Sequence, residues 1–247
     1  MQYTASDGYL DLNAHILPNT DYGSSCMVET KCMLKKAYIE GIRTIVATPY
    51  YHPEIEYDPK KVKSTFEEVC KEAKLLFSDL NLILGSEIYY HEEIIEALKR
   101  KKVNTLGDTS YVLIDFDSKA TYKRIYQGLR RLVENGYQPI LAHVEQYDCL
   151  YNRMEKCIDL IRLGSYMQLD CDSTIGGRFD KIVKFGNQLL KENLIHFLGS
   201  NCCNIKTRPP IMNTCIKVLR TRLDSSQIVK ITVSNVDSFL NNRYIDN

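Results

Sequence analysis

Tryptophan is missing from this chain, and so is any apolar stretch near the ~20 residues that a bilayer span requires. A membrane-crossing helix is therefore not expected. The amino terminus, MQYTASDGYLDLNAH, has no basic segment followed by an apolar run, which argues against a signal peptide. Excess charge of one sign is also lacking, since 32 Lys and Arg stand against 31 Asp and Glu for a net charge of +1. So balanced a surface has no electrostatic footprint for nucleic acid or an anionic membrane. No Gly-rich dinucleotide loop and no GxxxxGK(S/T) phosphate loop occurs. The nine cysteines (Cys26, Cys32, Cys70, Cys149, Cys157, Cys171, Cys202, Cys203 and Cys215) lack the paired spacing of a zinc site. They read as reduced thiols, most of them small buried hydrophobes, so neither a disulfide framework nor a structural zinc is expected. Internal repeats, low-complexity tracts and long linkers are absent too. These exclusions point to a cytoplasmic protein, and 247 residues suit one domain spanning 1–247.

What is present is a regular alternation. Short apolar, β-branched runs cover 9–14, 42–48, 80–86, 111–116, 139–144, 165–170 and 195–200. Their near-continuous hydrophobicity suits parallel strands covered on both faces. Amphipathic stretches separate them. The first starts with Ser24 or Ser25 as N-cap and stops at Gly41. Others cover 60–77, 90–101, 121–135, 153–163, 179–193 and 211–222, with a closing helix and tail from about 224. Seven strands alternating with helices imply βαβ units and a parallel sheet, with a closed or distorted barrel favoured over an open doubly wound sheet.

In such barrels the chemistry sits at the carboxyl ends of the strands, where the loops converge. The expected strands end in polar residues, among them His15, Glu87, Asp115 and His143, delivered from four different strands. Two imidazoles with two carboxylates suit one divalent cation, either zinc, iron or manganese. A capped polar barrel mouth without metal is the competing reading.

Six blocks carry a family resemblance: YLDLNAHILPNTDYG, GIRTIVATPYY, GSEIYY, TSYVLIDF, YQPILAHVEQY and NLIHFLGSNCCNIKTRPP. In order and spacing they resemble the PHP-type (polymerase and histidinol phosphatase) metal-dependent protein-tyrosine phosphatases of bacterial capsule and exopolysaccharide systems. The resemblance implies a distorted seven-stranded α/β barrel. It also implies a cluster of three divalent metals, commonly manganese, that binds the phosphate and activates water for in-line attack. The family's ligand positions fall on Asn13, His15, Tyr22, Tyr50, Glu87, Asp115, His143, Asn201 and Cys203. Asn13, Tyr22, Tyr50, Asn201 and Cys203 are changed in kind. Of the two arginines that steady the phosphate, one is Gln146 here and the other survives as Arg208.

By this resemblance Glu87, Asp115 and His143 keep one metal, and His15 with Glu87 keeps a weak second. The position needing Tyr22, Tyr50 and Cys203 is lost, so a full cluster is not expected. Catalysis would rest on Arg208, His143 and Glu87, with impaired phosphoryl transfer. The alternative is a pseudophosphatase that binds without cleaving. The implied partner is the tyrosine-rich tail of a kinase controlling polysaccharide chain length. Tyr22 and Tyr50 are expected to fill vacated metal space, their hydroxyls bonded to the remaining carboxylates. Cys203 is expected as a buried, unligated thiol, His52 as a solvated loop residue, and Asp170 and Asp172 as rim aspartates facing water. His91 and His196 are taken as structural. Cys203 with Arg208 five residues on resembles a cysteine-phosphatase loop, but Asn204 to Thr207 lacks its glycines.

Overall fold

The computed structural model of the chain describes residues 8–176 and 180–245. In chain order these form β1 (Tyr9–Ala14), α1 (Met27–Ile39), β2 (Ile42–Ala47), β3 (Tyr50–Tyr51), α2 (Pro59–Leu76), β4 (Asn81–Leu84), β5 (Glu87–Tyr89) and α3 (Ile94–Lys99). There follow β6 (Tyr111–Asp115), α4 (Tyr122–Glu134), β7 (Gln138–Leu141), α5 (Met154–Arg162), β8 (Tyr166–Asp170), α6 (Lys181–Lys191) and β9 (Phe197–Gly199). The chain closes with α7 (Met212–Leu219), α8 (Ser225–Val229), a π-turn over Lys230–Ser234 and α9 (Asn235–Leu240).

The named strands pair in parallel, as three strands in the order β1-β2-β4 and six in the order β3-β5-β6-β7-β8-β9. The sheet curls into a half-barrel, and the chain after β9 returns to the end of β1. There His15 N donates to Cys202 O and Asn201 N to Asn13 O, both at 2.8 Å. Each expected strand run is found, but the run at 80–86 divides into β4 and β5, and a short β3 follows β2. Two local features mark that seam. Pro49 has no N–H to give a ladder, and at Gly85 a Cβ would stand 2.6 Å from the Leu106 side chain.

Two apolar layers follow from strand alternation. Val112 and Ile114 of β6, with Met167 and Leu169 of β8, face the helices, while Tyr111, Leu113 and Tyr166 face inward. The inner layer is stoppered from below by α9, where Phe239 packs edge-on against Tyr111 and Phe197, which begin β6 and β9. With the amino ends of the strands plugged, the inner positions at their carboxyl ends are left for polar groups. Alternation carries Asp115, Gln168 and Asp170 into that space.

Several expectations need adjustment. Helix α1 is capped by Cys26 without a side-chain bond. Ser24 instead bonds Ile16 O and Thr30, and Ser25 bonds Glu29. Helix α3 is shorter than 90–101. The helices do stop before Gly41, Gly136 and Gly164, the last with φ of 104°. Residue 179 of the expected sixth helix lies outside the described residues. All nine cysteines are free, but only Cys157, Cys171, Cys202 and Cys215 are buried. Cys26 and Cys32 are exposed, because the first lies at the α1 cap and the second on the outer face of that helix. No helix among the described residues is long and apolar enough to cross a membrane.

One buried carboxylate gives a stability prediction. Asp11 is buried and accepts from Ser200 N at 2.7 Å and Ser200 Oγ at 2.5 Å. Burial pushes its carboxyl from 3.8 up to about 6, outweighing the Ser200 bonds. The folded state thus holds this proton more tightly than the unfolded state does. Its contribution is full below pH 3.8 and is lost as pH rises through about 6, on the order of 3 kcal/mol. Asp11→Asn is expected to flatten that part of the pH–stability curve and to melt higher than the natural protein at pH 8. Thermal melts of both between pH 4 and pH 8 check this, and parallel curves would refute it.

Candidate functional site

The carboxyl ends of the strands surround a cleft of about 180 Å³ lined by His15, Tyr22, Tyr50, Glu87, Asp115, His143, Gln146, Asn201, Cys203 and Arg208. Every one of these was singled out from the sequence. The remaining named position, Asn13, lies fully buried beneath.

Local backbone geometry aims several of these groups. The register of β1 on β2 shifts between Asp11 and Ala14, as at a bulge, which re-aims side chains. Asn13 consequently reaches across to Glu87, Nδ2 donating to Oε2 at 2.5 Å, while its Oδ1 accepts from Thr48 Oγ1 at 2.5 Å. His143 follows β7 with φ of +34° and Asn201 follows β9 with φ of +49°. Left-handed backbone is uncommon for histidine and costs energy that surrounding structure must hold, a feature that clusters at functional sites. Here the His143 N–H is fixed by Gln168 Oε1 at 2.8 Å.

Two polar groupings result. In the first, His15 Nε2 lies 3.2 Å from Glu87 Oε2 and His143 Nε2 lies 2.8 Å from Asp115 Oδ1. His143 Nδ1 is 4.0 Å from Glu87 Oε1, which joins the pairs. Asp115 also accepts from Tyr50 at 3.1 Å and from Tyr147 at 3.1 Å. Burial alone would raise Glu87, but the His15 bond and charge, His143 and Asn13 hold it down at about 2. Burial works against protonated His143 as well, yet the Asp115 and Glu87 carboxylates lift it to about 10. Burial and then Asp115 raise Tyr50, so its hydroxyl stays a neutral donor.

The second grouping centres on Asp170. This carboxylate is fully buried and accepts from Gln168 at 2.9 Å, Asn201 at 2.8 Å, Gln146 at 3.2 Å and Arg208 at 3.2 Å. The water-facing rim position expected for Asp170 is therefore corrected, because the strand period turns it inward. Asp172 does sit at the rim, half-exposed, with Arg208 Nε 3.9 Å away. Behind Asp170, burial and then the Asp170 charge push Glu145 up to about 8.

Glu87, Asp115 and His143 offer ligand atoms that all lie within 4.8 Å of one another. The Nδ1 atoms of His15 and His143 are buried without a hydrogen-bond partner. A carboxylate–carboxylate–imidazole set with an orphaned imidazole nitrogen fits one divalent cation. The rest of a cluster does not fit. Asn13 and Asn201 turn their NH₂ groups, not oxygens, toward Glu87 and Asp170. Tyr22 is 66% exposed and meets Tyr50 edge-on at 5.1 Å, so it lies over the cleft and does not fill it as expected. Tyr50 does bond a remaining carboxylate. Cys203 is half-buried, not buried, and its Sγ accepts from Asn204 at 3.3 Å.

Cysteine-based chemistry is also unsupported. Asn204 Oδ1 takes the N–H groups of Lys206, Thr207 and Arg208, the donors a phosphate-cradling loop would offer. His52 packs 4.4 Å from Tyr89 outside the cleft, and His196 Nδ1 accepts from Met167 N at 3.1 Å, a structural role. Sequence reasoning missed Tyr147, whose buried hydroxyl steadies Asp115, and Gln168, which links His143 to Asp170. The period-two inward set Tyr166, Gln168, Asp170 was the available signal for the latter.

A family model described as capsular polysaccharide synthesis, CpsB/CapC, matches residues 9–241. Tyrosine-protein phosphatase CpsB of Streptococcus pneumoniae is 30% identical over 232 residues, covering 92% of this chain and 96% of that protein. The structures of YwqE from Bacillus subtilis and CpsB from Streptococcus pneumoniae, described as metal-dependent tyrosine phosphatases, include a chain that superposes with a TM-score of 0.87 at 27% identity. That match covers 96% of each chain. The phosphotriesterase homology protein of Escherichia coli shares the fold, with a TM-score of 0.60 at 10% identity and coverage of 94% and 98%.

Proposed function

The chain belongs to the CpsB/CapC family of capsular polysaccharide synthesis, and from that premise we propose that it is a metal-dependent hydrolase of protein phosphotyrosine reduced to one divalent ion. The observation that carries this is the convergence of Glu87, Asp115 and His143 in one cleft with Arg208. Those three would hold the ion, manganese or else zinc or iron, and His15 on Glu87 is the remnant of a second position. Bound there, a divalent ion would neutralise phosphoryl charge and make the attacking water more acidic.

The chain's own groups do the rest. Among the described residues Arg208 is the one guanidinium lining the cleft, and it would swing from Asp170 to a phosphate oxygen. Gln146 offers the phosphate only an amide, where an arginine would give a charged bidentate grip. Tyr22 and Tyr50 would flank the substrate ring. Loss of one such charged donor alone costs on the order of 100-fold or more in rate, so turnover is impaired.

A second reading, a pseudophosphatase, is favoured by one observation. Asp115 and Arg208 are already engaged, the first by His143, Tyr50 and Tyr147, the second by Asp170. Either way the partner we propose is the tyrosine-rich tail of a chain-length tyrosine kinase, met in the cytoplasm. We also read 1–247 as one domain built on a distorted seven-stranded barrel, with the seam at β3 and β5 as its distortion.

Elemental analysis after stripping and reloading with manganese, zinc or iron tests the first reading. About one ion per chain is expected, absent from Glu87→Gln. A natural protein that retains no ion under any loading would leave only the binding reading.

A further inference from the structure

A separate pocket of about 210 Å³ opens between the loop after β1 and the start of α2, and among the described residues it shares only Tyr50 with the cleft. We propose that it is a second ligand site, for a neutral pyranose unit of a saccharide.

The lining is largely polar. The side chains of Asn19, Asp21, Glu56, Lys61 and Thr65 face this space, and none has a hydrogen bond or ion pair to another described residue. They mix acceptors (Asp21, Glu56), a donor (Lys61) and groups that do both (Asn19, Thr65). A phosphate would require donors throughout and a metal ion acceptors throughout. Hydroxyl groups, each both donor and acceptor, match the mixture.

Flat apolar walls complete the site. Tyr57 is held in place by hydroxyl bonds to Ser86 at 3.0 Å and Asn104 at 3.2 Å, and by edge packing on Tyr51 at 5.1 Å. Tyr50 is tied by its hydroxyl to Asp115 and packs against Tyr22. Rings fixed before binding offer the C–H face of a sugar an amphipathic surface at little entropic cost. Charge narrows the class further. Asp21, Glu56 and Asp58 outnumber Lys61, which disfavours uronates and phosphosugars. A bound sugar also touches the ring whose hydroxyl reaches Asp115.

Saturation-transfer NMR and calorimetry on the full chain provide the test, with methyl glucoside, methyl galactoside, N-acetylglucosamine and glucuronate as probes. At least one neutral sugar is expected to bind with a Kd of about 1–10 mM. Asn19→Gly, which keeps the left-handed backbone of that position (φ of +57°), and Glu56→Gln, both at exposed positions whose side chains have no partner among the described residues, should each weaken it at least about tenfold without lowering Tm. The proposal is overturned by no transfer from any neutral sugar at ~50 mM, or by binding that persists in both variants. Glucuronate binding as tightly as the neutral sugars, or a lysine- or arginine-bearing peptide taking the pocket while sugars do not, overturns it equally.

Discussion

A chain carrying Asn13→His, Tyr22→Asp, Tyr50→His, Gln146→Arg, Asn201→Asp and Cys203→His together is expected to hydrolyse a phosphotyrosine peptide at least about 100-fold faster than the natural protein in manganese, the scale of one well-placed electrostatic donor. The surroundings tolerate these changes unevenly. Tyr22 has φ of +57°, a conformation aspartate adopts more readily than tyrosine. Tyr50→His releases Asp115 Oδ2 from the hydroxyl that now occupies it. Gln146→Arg sets a second guanidinium beside Asp170, restoring a bidentate phosphate grip.

Asn201→Asp has the opposite effect until metal arrives. Asn201 Nδ2 now donates to Asp170 Oδ2 at 2.8 Å, and an aspartate there would face a like charge across the same gap. Such pairs are strongly unfavourable unless a proton or cation intervenes. The repaired chain should therefore melt below the natural protein when stripped and above it when loaded. Initial rates and paired melts check both arms. A folded, metal-loaded repaired chain with no gain in rate would show that the six positions do not form the family's site here.

Much of this was legible in the sequence because short-range rules dominate where elements begin and end. The strand runs, the helices stopping before Gly41, Gly136 and Gly164, and the polar strand ends all follow from hydrophobic period and turn chemistry. What escaped depends on long-range packing. The division of 80–86 into β4 and β5 falls at Gly85, where the Leu106 side chain approaches closely, a contact that no local pattern encodes. Cys26 as the α1 cap was missed because Ser24 and Ser25 are better caps by type, yet Ser24 is claimed by Ile16 O and Thr30 inside the fold. Of the cleft residues, His15, Tyr50, Glu87, Asp115, His143, Asn201 and Cys203 were found beside the ends of the expected strands, and Tyr22, Gln146 and Arg208 through the family resemblance. Their engagements, with Asn13 amide-side toward Glu87 and Arg208 on Asp170, emerge only once the strands are side by side.

Asp170 tests that point most directly, and Asp170→Ala is expected to lower the melting temperature by ~6–12 °C, equivalent to ~3 kcal/mol. Removing the carboxylate leaves the Gln168 and Asn201 amides buried without an acceptor and strips Arg208 and Gln146 of theirs. Unsatisfied buried donors cost about 1–3 kcal/mol each, and the side chain of Arg208, 36% exposed, recovers part of its loss from water. Gln168 also holds the His143 N–H, so the disturbance should reach the strained residue at the centre of the cleft. Asp170→Asn keeps one acceptor oxygen and should lose about half as much stability. It also separates structure from function. If Asp170 restrains the phosphate-binding arginine, Asp170→Asn should lower the KM of the metal-loaded protein for a phosphotyrosine peptide even as it melts earlier. A melting loss with KM unchanged would leave Asp170 a structural hub and remove Arg208 from the phosphate site.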